Sequence, residues 1–196
     1  MGWPMKKRKE TVEWTLHREY FRIALERYEI IKKLKKEHDT LQAIFKKKKA
    51  MSDDDVALLA DKNDAIGHET LIVIVFTALC LEAFINNYGI ARLSKNYFIN
   101  YLDKLDLVAK WIVIPRVITR KRIGPGSKPV QDLSWLIAQR NRLVHYKSRE
   151  IPIDKVKESD FFWEYDAEKA IKTVKGIVAK LKAIDGKVET DWLSLS

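Results

Sequence analysis

Apolar residues recur at helical spacing along the first part of the chain. The positions concerned are Leu16, Ile23, Tyr28, Ile31, Leu34, Leu41 and Phe45. Because this spacing follows the 3.6-residue period of an α-helix, it predicts one long helix from Thr11 to about Lys49. Charged side chains fill the remaining faces, as they do on the solvated side of a surface helix.

The next segment differs from the first helix because apolar residues occupy nearly all of its faces. It runs from Ala65 to about Leu93, and a helix of this kind belongs at the centre of a bundle. Ser52 followed by Asp53–Asp55 is a helix-start signal, which leaves open a short helix or a linker before residue 65. The longest apolar run, Leu71–Leu81, is too short to span a bilayer core of about 30 Å, so we expect no contact with a membrane.

Two further helices are predicted around a basic loop. The first spans Leu102–Ile114 and is expected to end or kink at Pro115. The loop RKRIGPGSKP is the clearest break in the chain. Ser127 is expected to cap the helix that follows, with Pro129 in its first turn, and this helix runs to about Tyr146.

A last helix is predicted after an aromatic-rich connection over residues 148–165. Asp166 is expected to cap it, and Gly186 to lie just past its end. Its apolar stripe is Ile171, Val174, Val178 and Leu181. These segments together predict an all-α protein, an up-and-down bundle of four to six helices with a long N-terminal helix. Residues 1–50 would form a basic helix packed on or extending the bundle, and residues 51–196 the helical domain, within one structural unit.

The charge of the chain is strongly positive and unevenly distributed. Its net charge is +10, and residues 92–149 carry thirteen Lys or Arg against three acidic residues. A basic surface attracts polyanions and favours phosphate contacts. Residues 1–50 are basic as well, and we interpret that block as a solvated helix face. The single cysteine, Cys80, excludes an internal disulfide and suits a reducing, cytoplasmic compartment.

The segment that suggests chemistry is RNRLVH, Arg140–His145, at the end of the fourth predicted helix. Helical spacing places Arg140 on the apolar stripe of that helix. The stripe consists of Leu133, Leu136, Ile137 and Val144. A guanidinium there needs an acidic partner, a carbonyl oxygen or a ligand phosphate, because burying it unpaired is costly. Asn141 shares a face with His145, and Arg142 lies one turn before His145.

These residue types suit reactions at an RNA phosphodiester. A histidine titrates near neutrality and can take a proton from a ribose 2′-hydroxyl or give one to a leaving oxygen. An arginine fork matches two phosphate oxygens, and an amide can orient either group. The structural alternative is that Arg140 pairs with Glu82, which we expect to be buried in the second helix.

The residues QDLSWLIAQRNRLVHYKS, together with LEAFINN upstream, resemble the HEPN superfamily, whose signature is R-x4–6-H, often with Asn after the Arg. The resemblance covers about residues 65–185. It implies a helical bundle that dimerises and joins two motifs in one cleft. Active members are metal-independent endoribonucleases that leave 2′,3′-cyclic phosphate ends.

The resemblance assigns roles to three residues. His145 would be the general acid and base, Arg140 would stabilise the phosphate, and Asn141 would hold the active geometry, with no metal or cofactor. On charge alone, five further residues are predicted RNA contacts: Arg142, Lys147, Arg120, Lys121 and Arg122.

One departure from the family pattern argues against pairing with a nucleotidyltransferase antitoxin. Toxin members paired with a nucleotidyltransferase antitoxin often carry Tyr two positions after the His, where this chain has Lys147. Two function classes therefore stay open. One is an endoribonuclease of the toxin or defence type, with an antitoxin or regulatory protein as a further partner. The other is a non-cleaving homodimer that binds nucleic acid or acts as a scaffold.

Overall fold

The chain folds into an all-helical bundle. A computed structural model describes residues 16–48, 50–145 and 164–194, and no β-strand occurs among them. The helices in chain order are α1 (His17–Phe45), α2 (Asp53–Arg92), α3 (Lys95–Tyr101), α4 (Leu107–Thr119), α5 (Lys128–Val144) and α6 (Glu164–Ile184), followed by a 3₁₀ turn at Asp191–Ser194. The predicted fold class, an all-α bundle with a long N-terminal helix, is confirmed.

Helix α2 is the centre of the bundle and runs for 40 residues without a break. A capping box starts it: the Asp55 N–H donates to Ser52 Oγ at 3.2 Å, and the Ser52 N–H donates to the Asp55 carboxylate at 3.1 Å. The segment before residue 65 is therefore neither a linker nor a separate helix, because the cap starts one continuous helix.

Helix α1 packs antiparallel along α2. Lys48 pairs with Asp55 near one end of the two helices, and the His17 ring lies against Phe84 near the other. The buried face of α1 comprises His17, Phe21, Ala24, Ile31, His38 and Phe45. The predicted stripe is therefore only partly right, since Phe21 and Ala24 replace Ile23, which is half-buried, and Leu16 is exposed.

The prediction of one helix over Leu102–Ile114 is wrong in its bounds. Helix α3 ends at Tyr101, and α4 begins only at Leu107, where Asp106 Oδ1 caps the Ala109 N–H at 2.9 Å. Helix α4 also continues through Pro115 to Thr119, so of the two outcomes expected at the proline, an end or a kink, the end is wrong. Pro115 is buried, so packing against the core offsets the hydrogen bond that proline cannot donate.

Helices α5 and α6 form the other side of the bundle. Lys121, just before α5, places Nζ 3.4 Å from the Ile184 carbonyl oxygen at the end of α6. Lys169, near the start of α6, lies 4.0 Å from the centre of the Trp135 ring midway along α5. The two helices therefore run antiparallel.

The predicted caps of these two helices have different outcomes. Ser127 occupies the N-cap position of α5 as predicted, but its hydroxyl donates to the Gly124 carbonyl oxygen at 2.7 Å and makes no capping bond. Asp166 lies inside the first turn of α6, after Glu164, so the cap predicted there is wrong. The predicted stripe of α6 is confirmed, because all four of its residues are buried.

Helix α2 is long and apolar enough to cross a membrane, contrary to the estimate from its longest apolar run. Half of the most apolar 18-residue stretch of α2 is buried inside the protein. This composition is also that of a helix at the core of a soluble bundle.

Candidate functional site

Helix α5 carries the RNRLVH motif out of the core at its C-terminal end. Its earlier turns bury Val130, Leu133 and Leu136. The predicted stripe then stops, because Val144 is 58% exposed. The last turn of α5 therefore presents the motif at the surface.

Arg140 connects this last turn to the central helix. Its Nη2 donates to Glu82 Oε2 of α2 at 3.2 Å, and its Nη1 donates to Asn141 Oδ1 at 3.2 Å. The Arg140 side chain is 23% exposed and that of Glu82 is 38% exposed. The expectation that Glu82 is buried is therefore wrong, because it lies at the edge of the α2–α5 contact, where water reaches it.

Two buried polar atoms near this contact have no hydrogen-bond partner within the part of the chain that the structure describes. One is Arg140 Nε, and the other is Oδ1 of Asn86, one turn after Glu82 on α2. Buried polar groups are normally paired, so unpaired ones at a surface-proximal site indicate a polar arrangement that is only half satisfied. The guanidinium consequently has hydrogen-bonding capacity beyond its two present contacts.

His145 ends α5 and is exposed to solvent. Its backbone N–H donates to the Asn141 carbonyl oxygen at 2.9 Å, which holds the residue against the last turn. The Asn141 side-chain oxygen, by contrast, accepts from Arg140 Nη1. The motif therefore consists of a fixed arginine–asparagine pair and a separate, accessible imidazole on the same helix end.

The predicted RNA contacts fall into two distant groups. Arg142 is half-buried in the last turn of α5, beside His145 in sequence, and Lys147 lies outside the described residues. Arg120, Lys121 and Arg122 precede the other end of α5. Seventeen helical residues separate the two ends, which corresponds to about 25 Å. Within one chain, the basic loop and the motif are thus two sites.

The remaining candidates are mostly structural. Trp192 is 1% exposed and packs in the core, Trp135 is half-buried under Lys169, and Trp163 lies outside the described residues. Cys80 is fully buried, and burial raises the pKa of its thiol. No group of three His, Cys, Asp or Glu residues within the described ranges is placed to hold a metal ion.

The structure also contains a cavity that the sequence did not indicate. It has a volume of about 330 Å³ and lies where the start of α1, the end of α2 and the segment after α6 meet. Its lining includes His17, Asn87, Arg92 and Lys187. No local pattern could have revealed it, because three separate segments supply its walls.

Searches of protein-family models, curated protein sequences and solved structures found no match to this chain.

Proposed function

We propose that this protein is a metal-independent endoribonuclease whose site is the Arg140–His145 motif, acting as a homodimer in the cytoplasm. The observation that carries the proposal is the arrangement at the end of α5. Arg140 is held by Glu82 and Asn141 while its Nε has no partner among the described residues, and His145, five residues later at the end of the same helix, is exposed. A half-buried guanidinium and an accessible imidazole at one helix end are residue types suited to phosphate chemistry.

The proposed reaction uses the RNA strand's own hydroxyl. His145 takes the proton of a ribose 2′-OH, the 2′-oxygen forms a bond to the adjacent phosphorus, and the bond from phosphorus to the 5′-oxygen breaks. The leaving 5′-oxygen takes a proton from a second imidazole, that of the other copy. The products are a 2′,3′-cyclic phosphate and a 5′-hydroxyl, so no metal ion, oxidant or water is consumed.

Arg140 would bind the phosphate as negative charge develops on its oxygens. Glu82 competes for the same guanidinium, so RNA binding requires the phosphate to replace or share that contact. Asn141 accepts from Arg140 Nη1 and so limits how the fork can turn. We therefore assign Arg140 and His145 to direct contact with RNA, and Asn141 and Glu82 to positioning.

The homodimer belongs to the proposal because each chain carries one motif, whereas the reaction needs both a base and an acid. A motif at the exposed end of a helix can meet its equivalent in a second copy. An antitoxin or other regulatory protein that covers this end of α5 would be a further partner.

The test is RNA cleavage in excess EDTA by the native chain, His145→Ala and Arg140→Ala. Matched controls are His68→Ala and Arg116→Ala, which remove an exposed histidine and an exposed arginine elsewhere in the bundle. We expect the two motif variants to lose cleavage while circular dichroism and thermal unfolding show intact folds. Cleavage that persists in both motif variants, or that requires a divalent metal ion, would refute the proposal.

A second candidate function is RNA binding without cleavage. It is favoured by the contacts of Arg140, which already has a carboxylate and an amide partner. Absence of cleavage over a wide panel of RNAs, with binding that depends on Arg140, would support this alternative.

A further inference from the structure

Positive charge is concentrated around the 330 Å³ cavity at the C-terminal end of α2. Lys121 ties the basic loop to this region through the Ile184 carbonyl oxygen, directly before the segment that lines the cavity. Arg18, Arg92 and Lys187 line the cavity, and Lys182 donates to the carbonyl oxygens of Gly186 and of Val188, which lies in the cavity wall. The basic loop adds Arg120, Lys121 and Arg122. Three carboxylates, those of Asp185, Glu189 and Asp191, lie among them.

The carboxylates are largely neutralised or turned outward. Asp185 accepts from Arg92 Nη2 at 3.0 Å and from the Tyr88 hydroxyl at 2.9 Å. Although burial opposes it, the Lys187 backbone N–H, the Tyr88 hydroxyl and the Arg92 charge keep the pKa of Asp185 below its usual value. Asp191 is engaged by Arg18, and the Glu189 side chain is 83% exposed.

The cationic side chains, in contrast, retain N–H donors that make no hydrogen bond to the described residues. Arg120, Arg122 and Lys187 are exposed and have no side-chain hydrogen bond or ion pair within the described part of the chain. Arg92 uses only Nη2 for Asp185, and Asn87 adds an amide to the same cavity wall. An anion at the cavity mouth would therefore meet unpaired N–H groups.

The backbone conformation of Arg120 is a further observation that favours a binding role for the basic loop. Arg120 ends α4 in the left-handed conformation, with φ of 61°, a position where helices usually place glycine. A long cationic side chain at a strained position is a feature that packing does not require, and such outliers concentrate at functional sites.

We propose that this end of the bundle, comprising the basic loop and the mouth of the cavity, is a second RNA-contacting surface that binds phosphates of the substrate strand away from the motif. The proposal rests on the proposed RNA substrate and deepens it. Because the basic loop and His145 lie at opposite ends of α5, about 25 Å apart, this surface favours RNAs long enough to reach both places. A short oligonucleotide would occupy the motif alone.

The test compares Arg122→Ala/Lys187→Ala with a control that loses the same charge, Lys33→Ala/Lys175→Ala, at exposed positions midway along α1 and α6. Both are placed in the His145→Ala background, so that RNA stays intact. Fluorescence anisotropy measures binding of a labelled single strand of about 20 nucleotides and of a trinucleotide over a range of salt concentrations.

We expect the Arg122/Lys187 variant to bind the long strand more weakly than the control and to lower the slope of log affinity against log salt by about 1.4, as two lost phosphate contacts require. For the trinucleotide, the Arg122/Lys187 variant and the control variant should bind with equal affinity. Equal slopes in the two double variants, with RNA still bound, would overturn the second surface and leave the proposed function standing. No RNA binding by any of these proteins would overturn both.

Discussion

Replacing Glu82 or Arg140 tests whether the contact between α2 and α5 exists in solution and what it contributes. Exposed ion pairs contribute about 0.2–1 kcal/mol, whereas breaking a buried pair costs about 3–5 kcal/mol. With side chains 38% and 23% exposed, this pair lies between these limits. We expect Glu82→Ala to cost about 1–2 kcal/mol, because it leaves the less exposed guanidinium without its carboxylate.

Arg140→Ala should cost less, about 0.5–1 kcal/mol, because water can hydrate the Glu82 carboxylate that remains. The double variant Glu82→Ala/Arg140→Ala should then lose less than the two single variants added together. The difference is the coupling energy, and we expect about 1 kcal/mol. A surface pair on α6, Lys172 with Glu168, has side chains 70% and 47% exposed and serves as the reference, because solvent screening should make its coupling the smaller of the two.

The assay is urea unfolding followed by circular dichroism, with both cycles measured in the same buffer. A coupling between Glu82 and Arg140 no larger than that of the Lys172 pair would refute the partly buried contact. Arg140 would then be free of Glu82 in solution, and the positioning role assigned to Glu82 would be lost.

Four further predictions concern stability and assembly. Burial, assisted by the charge of Arg18, lowers the pKa of His17 to about 4, so the unfolded chain binds this proton more readily than the folded one. Acidification from about pH 7 to about pH 5 should therefore lower the free energy of unfolding by about 2 kcal/mol through this residue. His17→Phe should remove that part of the pH dependence in urea titrations, and an unchanged pH profile would contradict the assignment. Ser52→Ala should lower the free energy of unfolding by about 1 kcal/mol through loss of the capping box, whereas Ser52→Asp should retain most of it. Gly89→Ala places Cβ 2.8 Å from Phe98 and should cost about 1–3 kcal/mol, and equal thermal stability would show that the ring can move aside. Light scattering at micromolar concentration should give twice the mass of the chain, and a strictly monomeric mass would contradict the homodimer.

Features encoded by neighbouring residues could be predicted from the sequence. The cap at Ser52 was recognisable because its partner lies three residues away, and the stripe of α6 because the helical period alone places its residues on one face. The helix that carries Arg140–His145 was recognisable for the same reason.

Features that depend on packing could not be predicted. Pro115 reads as a helix end, yet buried contacts keep α4 helical through it. Val144 continues the stripe in sequence, yet none of the described helices covers it at the end of α5, where it is 58% exposed. The separation of Arg122 from His145, in contrast, follows from the length of the helix that was predicted between them, although charge counting had named residues at both of its ends as RNA contacts.

The most direct test of the central claim is the identity of the 3′ ends left when RNA is incubated with the native protein and with His145→Ala in excess EDTA. The account predicts 2′,3′-cyclic phosphate ends with the native protein and intact RNA with the variant. Fragments with 3′-hydroxyl ends, or equal cleavage by the two proteins, would contradict it.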